Sequence, residues 1–386
     1  MLYQLDLRLQ EIMEKVGTPF GGVAILAFGD MCQLKPCQGK YIFDEPSNEE
    51  YKVVWERKKD NRWAMFTSII LEINHRQGRD KPYSEILNRM RVSKSTEEDF
   101  NILHSRVRQR NHPDLNDVSM FITGIREKGH KINSNYISKL KGELIKIPAI
   151  HFHPAMKKFK GKIEKKDNTV GDTGFDNELC LKLGAKVMLI HNISTVDSLT
   201  NGQLGTLKEI LKNREGKVDK LVIKFNNPSS GAANREKFSI LASRFPECTF
   251  IERVSIHYSL SKRKQEVSST ATVIQFPIKL SFALTAHKVQ GQSIPYPLKV
   301  AMDIGSVFQD AQAYVMLSRV QCLEQVFIVD HLNEDKIKAN FKALTEVERL
   351  DKNSINRNPT IWNQSNHIGL KIASLNCAGL APRCKH

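Results

Sequence analysis

The sequence predicts an α/β fold in which a parallel sheet with flanking helices carries a small β-rich insertion. Three observations support this prediction. Compact apolar runs end abruptly in polar loops, segments with helical periodicity separate these runs, and a block of short β-rich runs interrupts the pattern in mid-chain. Because the loops after parallel strands lie along one edge of the sheet, the polar loops are the first candidates for functional sites.

The composition narrows the class of protein. The chain has 386 residues, 40% of them hydrophobic, which suffices for two or more packed units. Its 58 basic and 42 acidic side chains give a net charge of +16, which suits a polyanion such as nucleic acid. No apolar stretch approaches the roughly 20 residues that span a bilayer. The seven scattered cysteines favour reduced thiols inside a cell, and no zinc site is predicted.

The first elements are a helix and two apolar runs. Leu2 to Ile12 has apolar residues at helical spacing, and a glycine-rich turn follows it. Val23 to Phe28 predicts a buried strand that delivers the polar pair Gly29-Asp30. Ser68 to Ile73 predicts a second such strand, which ends in a loop that contains Arg76. A helical pattern from about Ser84 to Val107 comes next.

The character of the sequence changes from about His151. A lysine-rich stretch from Met156 to Lys166 precedes short β-rich runs that are separated by turns such as Asn201-Gly202. The runs extend from Cys180 to Ile190, from Thr206 to Ile210 and from Leu221 to Phe225. These runs predict a small β-barrel or open β module. The lysine-rich stretch is interpreted as a solvated loop, with contact to phosphates as the alternative.

The α/β character returns after Pro277. The pattern predicts a strand from Leu280 to Leu284, a helix from Ala311 to Val320 and a closing strand from Gln325 to Val329. Beyond about Lys352 the chain is polar.

Four side chains after these runs have the chemistry of a nucleotide site. Asp30 and Gln33, a carboxylate and an amide, can order a water beside a γ-phosphate. Arg76 and Arg319 can stabilise the charge on a transferring phosphoryl group. A surface ion pair is the commoner role of any single arginine, and a loop such as that of Asp30 is a common exit from a strand.

The segment from Thr285 to Ser293, the donor-rich segment, is the richest in polar groups. Within it Thr285 offers a hydroxyl, His287 an imidazole, Lys288 an ammonium and Gln290 an amide. Such donors suit phosphate oxygens, either of a nucleic-acid backbone or of a nucleotide. An ordinary polar loop between a strand and a helix is the alternative.

Five blocks in order resemble the motifs of the Pif-type (petite integration frequency) DNA helicases of superfamily one, including those of Helitron transposons. The blocks are Phe20 to Gly22 with Gly29 to Pro36 (GDxxQLxP), Leu71 to Arg76 (LEINHR), Leu181 to Gly205, Phe282 to Ser293 (FALTAHKVQGQS) and Ala313 to Val320 (AYVMLSRV). The match covers roughly Leu2 to Asp330, and its order makes chance a poor explanation.

The resemblance implies a helicase of P-loop NTPase architecture. Members are ATP-dependent 5′-to-3′ DNA helicases with two RecA-like domains, the second of which carries an inserted small β-barrel. ATP and Mg²⁺ are the implied cofactors, and single-stranded DNA and duplex junctions are the implied partners. DNA repair, recombination and telomere maintenance are the implied processes. The nucleus is the expected compartment, with the mitochondrion as an alternative, and a monomer without a membrane partner is expected.

The resemblance also implies roles for individual residues. It assigns γ-phosphate sensing to Gln33, support of that loop to Asp30, and phosphate contacts to Arg76 and Arg319, with Arg319 as the arginine finger. The residues implied to couple single-stranded DNA to the nucleotide cleft are Thr285, His287, Lys288, Gln290 and Gly291. A structural role is inferred for the Asn201-Gly202 turn, and no residue is assigned to a metal.

Resemblance and composition together predict five segments. Residues 1–72 are the C-terminal remnant of the first RecA-like domain. Residues 73–150 and 280–335 form the second RecA-like domain, residues 151–279 are the inserted β-rich module, and residues 336–386 are a polar tail.

The sequence departs from the family in its phosphate-binding elements. The loop GxxxxGK[ST] and the acidic pair that binds magnesium do not occur in their expected places. Asp44-Glu45 resembles the acidic pair but follows the GDxxQL block, which is the wrong order. Because the P-loop and Mg²⁺ hold the β- and γ-phosphates, we expect this polypeptide alone to lack ATPase and unwinding activity. The segment is expected to begin inside the first RecA-like domain and to retain salt-sensitive affinity for single-stranded DNA.

The end of the chain carries a second, shorter resemblance. Leu370 to Leu380 resembles the opening strand of an exonuclease–endonuclease–phosphatase domain, in which Asn376 would lie by the metal, and a stray strand is the alternative. Three functions therefore remain open: a subfragment of a DNA helicase, a noncatalytic DNA-binding remnant of a Helitron-like transposon helicase, and a basic scaffold protein. The ordered motifs argue against the scaffold.

Overall fold

The computed structural model describes residues 2–36, 39–44, 62–153, 160, 168–171, 173–260 and 270–354. Its helices are α1 Leu2–Ile12, α2 Lys81–Arg91, α3 Glu97–His104, α4 Arg126–Lys139, α5 Ala232–Lys237, α6 Ser239–Arg244, α7 Ala286–Val289, α8 Gln312–Leu317 and α9 Phe341–Lys352. None of the described helices combines the length and apolar character that crossing a membrane requires.

The described strands are numbered in chain order. They are β1 Val107–Arg108, β2 Met120–Thr123, β3 Ile145–Pro148, β4 Ile150–Phe152, β5 Glu178–Leu181, β6 Lys186–Leu189, β7 Leu204–Lys212, β8 Val218–Phe225, β9 Thr249–Ile251, β10 Val254–Ser259, β11 Thr270–Gln275, β12 Ile278–Leu280, β13 Ala283–Thr285, β14 Val300–Asp303 and β15 Val326–Val329.

A five-stranded parallel sheet is the centre of the α/β part. Its order is β1-β15-β14-β2-β13, and every neighbouring pair in it is parallel. Every residue of β14 and β15 is buried, as expected for strands with helices on both faces. Helices α2 and α8 pack together, and Tyr83 on α2 donates its hydroxyl to the carbonyl of Leu317 on α8 (2.9 Å). The parallel α/β sheet predicted from the sequence is therefore present, with the RecA-like character that the resemblance implied.

The β-rich runs form antiparallel sheets, and their strands lie in the sequence between strands β2 and β13 of the parallel sheet. The largest has the order β12-β6-β7-β8-β9, and smaller sheets pair β10-β11-β4 and β3-β5. Along β7 buried and partly buried residues alternate in its first half, so one face packs inward. Leu207, Leu221 and Phe276 belong to a core that is separate from that of the parallel sheet.

The predicted strand from Leu280 to Leu284 is two strands in two sheets, so this part of the prediction was wrong. Its first residues end β12 beside β6, and its last residues lie in β13 beside β2. Ser281 N still bonds to the Lys186 carbonyl, whereas the Phe282 carbonyl accepts from Phe121 N. Apolar periodicity indicates burial but does not show where a strand exchanges one partner for another.

The predicted strands from Val23 to Phe28 and from Ser68 to Ile73 were also wrong. Neither segment belongs to a sheet in the described part of the chain, and Phe28 (76%) and Leu71 (84%) are largely exposed. A strand needs a paired neighbour as well as an apolar composition. In the described part of these two segments, the β pairing is an isolated bridge between Ser68 and Ser354.

The region predicted as a polar tail begins with a packed helix. Leu350 of α9 joins a cluster with Leu2, Phe20 and Trp63, and the Trp63 indole donates to Glu346 (2.6 Å). The described residues 2–36, 39–44 and 62–72, together with α9, thus form one small unit, called here the first unit. The nuclease-like stretch from Leu370 to Leu380, with Asn376, lies outside the described residues.

Candidate nucleotide and nucleic-acid site

The donor-rich segment contacts three of the predicted nucleotide-site residues. The Gln290 amide donates to Gln33 Oε1 in a long hydrogen bond (3.4 Å), and Arg76 Nε donates to Ser293 Oγ (2.8 Å). Arg319 Nη1 donates to the Gln292 carbonyl (3.3 Å). Residues from four separate stretches of sequence therefore meet at one place in the fold.

The end of strand β13 and a tight turn position the donor-rich segment. Thr285 is the last residue of β13, and α7 begins immediately after it with buried Ala286 and Val289 on its inner side. Gly291 then has φ +81°, a left-handed conformation that suits glycine. The turn sends Gln292 and Ser293 back toward the arginines.

Arg319 is almost completely buried, with 1% of its surface exposed. Its guanidinium donates to the Val315 carbonyl (2.8 Å) and to Ser318 Oγ (2.7 Å), besides the contact with Gln292. Burial, with the nearby positive charge of Arg76 as a second cause, lowers the pKa of Arg319 to about 10. The side chain therefore stays charged at neutral pH and is held by neutral acceptors.

Arg76 lies beside Arg319 and shares its neighbour Ser318. Its Nη1 donates to the Ser318 carbonyl (3.0 Å), and burial lowers the pKa of Arg76 as well. In both arginines the partners that accept these hydrogen bonds are carbonyls and hydroxyls, which do not neutralise the two charges. Adjacent guanidinium groups of this kind favour an anion with several oxygens, such as a phosphate group.

The loop from Gly29 to Leu34, called here the sensor loop, is organised by its own carboxylate. Asp30 Oδ2 accepts from the Gln33 amide (3.2 Å), and Oδ1 accepts from Cys32 N (3.0 Å). Arg91, at the end of α2, donates to the same Oδ1 (2.8 Å). The sequence motif predicted Asp30 and Gln33 but not Arg91, which is 61 residues away from its partner.

His287 lies against Gln309 rather than against the arginines. The Gln309 amide nitrogen is 2.9 Å from His287 Nε2, and burial lowers the pKa of this histidine. With the Gln309 amide nitrogen as donor, Nε2 is the acceptor in this contact. Among the described residues, no hydrogen bond or ion pair joins His287 or Lys288 to Gln33, Arg76 or Arg319.

Lys288 belongs to a second, positively charged neighbourhood. Burial lowers the pKa of Lys288, and the charges of Lys279 and Arg126 lower it further. Arg126 Nη2 (3.2 Å) and Lys279 Nζ (3.4 Å) both donate to the hydroxyl of Thr169, and Lys279 also pairs with an aspartate of the module. Arg126 opens α4 directly after β2, so the same strand-end argument that selected Arg76 could have found it.

The Asn201-Gly202 turn touches the donor-rich segment. Gly202 has φ +97°, and its carbonyl accepts from the Gln292 amide (3.4 Å). The turn was given a structural role from the resemblance, and its contact with Gln292 brings the β-rich module to the edge of the site.

The described residues contain no cluster of three or more histidine, cysteine, aspartate or glutamate side chains that could hold a metal ion. Asp30, the carboxylate of the sensor loop, is paired with Arg91 and with the Cys32 amide. The side chains of this site fit the terminal phosphate of a nucleotide better than they fit Mg²⁺.

A five-stranded parallel sheet, with a polar segment after β13 that contacts two arginines and a glutamine, defines the class of fold as RecA-like α/β. The ATP-dependent DNA helicase PIF1 of Emericella nidulans is 26% identical over 341 residues, which cover 81% of this chain and 43% of that protein. Pif1 of Campylobacter jejuni is 30% identical over 223 residues, or 55% of this chain and 42% of that protein. No family model matches the chain.

Solved Pif1 structures have the same fold. The Pif1 helicase from Candida albicans superposes with a TM-score of 0.65 at 20% identity, covering 91% of this chain and 73% of that one. Bacteroides Pif1 bound to single-stranded DNA gives 0.62 at 21% identity, over 91% of this chain and 72% of that one. The chain is thus similar in sequence to Pif1 helicases, and it shares the fold of the solved ones. It spans less than half the length of the two curated relatives above.

Proposed function

We propose that this chain serves as part of an ATP-dependent, 5′-to-3′ DNA helicase of the Pif type. One observation carries the proposal: the donor-rich segment touches Gln33, Arg76 and Arg319 at the same time. A motor that moves along DNA needs its nucleic-acid contacts to respond to the nucleotide, and this segment offers donors for both. DNA repair, recombination and telomere maintenance are the processes proposed for it, in the nucleus.

The nucleotide would lie against the arginine pair. ATP supplies a γ-phosphate whose cleavage drives the motor, and Mg²⁺ neutralises its charge. Arg76 and Arg319 would hold that phosphate, and Gln33 would orient the attacking water. Because the described residues provide neither a P-loop nor a magnesium cluster, we propose that the 386-residue polypeptide alone does not hydrolyse ATP.

Single-stranded DNA is the proposed track. The net charge of +16 and the neighbourhood of Lys288, Lys279 and Arg126 support contacts with phosphates. A crystal structure of the Bacteroides relative contains ADP-AlF3 together with single-stranded DNA, which supports the proposal that this chain binds both kinds of ligand. Duplex junctions are proposed as a second substrate, in line with the relative described at forked double-stranded DNA.

A second candidate function is a noncatalytic DNA-binding remnant of a Helitron-like transposon helicase. The missing GxxxxGK[ST] loop favours it for the polypeptide as given, because DNA contacts remain where the phosphate loop does not. Both candidates predict DNA binding, and they differ in whether a longer polypeptide hydrolyses ATP.

The test combines two measurements on the purified chain. Fluorescence anisotropy with an oligothymidylate should show binding that weakens as salt rises. Lys288→Gln should lower the slope of log K against log salt concentration by about the amount expected for one lost phosphate contact. Lys217→Gln, which removes an exposed lysine at a turn of the module, is the matched control. Magnesium-dependent ATP hydrolysis should be absent.

Two results would contradict the proposal. ATP hydrolysis by the chain that Arg76→Gln abolishes would show that the site hydrolyses ATP without a P-loop. Failure to bind single-stranded DNA at low salt would remove both candidate functions.

A further inference from the structure

Arg91 makes an ion pair between the α/β part and the sensor loop. Its Nη2 donates to Asp30 Oδ1 at 2.8 Å, and both side chains are partly buried. Burial opposes the charge on Arg91, but Asp30 outweighs burial, and the pKa of Arg91 is raised. Arg91 therefore stays charged beside Asp30.

Asp30 connects Arg91 to Gln33 and, through Gln33, to the donor-rich segment. Its second oxygen accepts from the Gln33 amide (3.2 Å), which leaves Gln33 Oε1 to accept from Gln290 (3.4 Å). An amide has one acceptor end and one donor end, so the bond to Asp30 decides which end of Gln33 faces Gln290. A continuous chain of hydrogen bonds thus runs from Arg91 to the donor-rich segment.

The geometry of Arg91 suggests more than a surface ion pair. Its Nε is buried and meets no acceptor among the described residues, although buried donors are normally satisfied. Arg89, on the same helix, makes a bidentate pair with Asp99 (2.8 and 2.6 Å) that stays within the α/β part. The two arginines are similar in chemistry, but only the pair of Arg91 reaches the sensor loop.

We propose that Arg91 is a positioning residue that holds Asp30, fixes the orientation of Gln33, and so links the sensor loop to the donor-rich segment. The link to DNA rests on the proposed function, whereas the positioning of the sensor loop does not. Arg91 touches neither a phosphate nor a base in this role, because it acts through Asp30.

Hydrogen exchange of the sensor-loop amides tests the positioning without DNA. In Arg91→Gln the Cys32 amide, which bonds to Asp30, should exchange about fivefold faster, as expected when one partly exposed ion pair is lost. Arg91→Lys, which keeps the charge but not the planar fork, should fall between this variant and the wild type. Arg89→Gln should accelerate the Asp99 amide, which bonds to Thr96 at the start of α3, and leave the sensor loop unchanged.

The same measurement with oligothymidylate tests the link. In the wild type, DNA should slow exchange in the sensor loop at least about twofold. Arg91→Gln should bind DNA with a Kd within about twofold of the wild type, yet show no such slowing. A residue that merely stabilised the fold would change global exchange and leave the DNA response intact.

Each outcome decides one part of the inference. Unchanged Cys32 exchange in Arg91→Gln, with the Arg89→Gln effect present, overturns the positioning role whether or not DNA binds. DNA binding without slowing in the wild type overturns the link and leaves the proposed function standing. Absence of DNA binding overturns the proposed function and the link together, while the DNA-free arm still decides the positioning role.

Discussion

The α/β part and the first unit use similar sequence patterns with opposite results. In β14 and β15 the apolar runs are buried strands of a parallel sheet. In the first unit the runs that contain Phe28 and Leu71 lie outside any described sheet and expose these side chains. An apolar run therefore becomes a strand only where neighbouring strands complete its hydrogen bonds and cover its faces. The α/β part is therefore stabilised by a closed sheet core, whereas the first unit is stabilised by a small hydrophobic cluster.

The sheet core should respond most strongly to a cavity. Ile122 on β2 has no exposed surface, so Ile122→Ala should lower the free energy of unfolding by about 3 kcal/mol. Ile122→Val removes one methylene and should cost about 1 kcal/mol. Chemical denaturation monitored by circular dichroism measures both. If Ile122→Ala lowered the free energy of unfolding by less than Ile122→Val does, the core around Ile122 would not be closely packed.

The small cluster of the first unit should respond locally. Trp63 packs with Leu350, stacks on Phe66 (5.3 Å) and donates to Glu346, so Trp63→Leu removes a ring contact and a hydrogen bond. We expect a local loss of about 2 kcal/mol, seen as faster hydrogen exchange in α9 with unchanged exchange in β2.

The matched control for this prediction is Phe341→Ser. Phe341 lies on the same helix but is 83% exposed, so exchange in α9 should stay close to that of the wild type. Equal acceleration of α9 and β2 in Trp63→Leu would show that the first unit and the sheet unfold as one cooperative body, and the contrast between the two regions would fail.

Sequence reasoning selected residues whose chemistry is contiguous in the chain, and the structure brings several of them together, while their functional roles stay predictions. The GDxxQL block, Arg76, Arg319 and the donor-rich segment were predicted because each motif keeps its chemistry within a few residues. Arg91 escaped notice because its partner Asp30 is 61 residues away, and no local pattern marks an arginine that reaches another unit. His287 was grouped with the other donors by its place in the motif, whereas its contact with Gln309 depends on a loop of a different strand.

For the fold, the sequence predicted several buried apolar runs but not which strands pair with each other. The apolar runs of the parallel sheet and of the β module predicted burial that the structure confirms, because neighbouring strands cover them. Partner choice does not follow from composition, which is why the run from Leu280 to Leu284 was taken as one strand although it serves two sheets. For the same reason the exposed runs of the first unit were taken as buried.

An exposed run of the first unit should tolerate a polar residue. Leu71 is 84% exposed, so Leu71→Ser should change the free energy of unfolding by less than about 0.5 kcal/mol. Leu103→Ser, at a position with no exposed surface on α3, should cost several times more. A loss near 3 kcal/mol in Leu71→Ser would show that the run is covered in solution, as the sequence pattern first suggested.

The smallest expected effect is a pH dependence centred on His287. Its pKa in the folded chain lies below the ordinary value because burial disfavours the charged ring. The unfolded state therefore binds more protons as pH falls, so the contribution of His287 to stability is complete above about pH 6.5 and declines below it. Protonation would also set a ring N–H against the Gln309 amide, which must turn to offer its oxygen. His287→Gln should make the decline in Tm between pH 7 and pH 5 shallower than in the wild type, as measured by thermal unfolding at each pH. If His287→Gln follows the wild type across this range, burial does not disfavour the charged form of His287 in solution, and the donor-rich segment is more open to water than its contacts indicate.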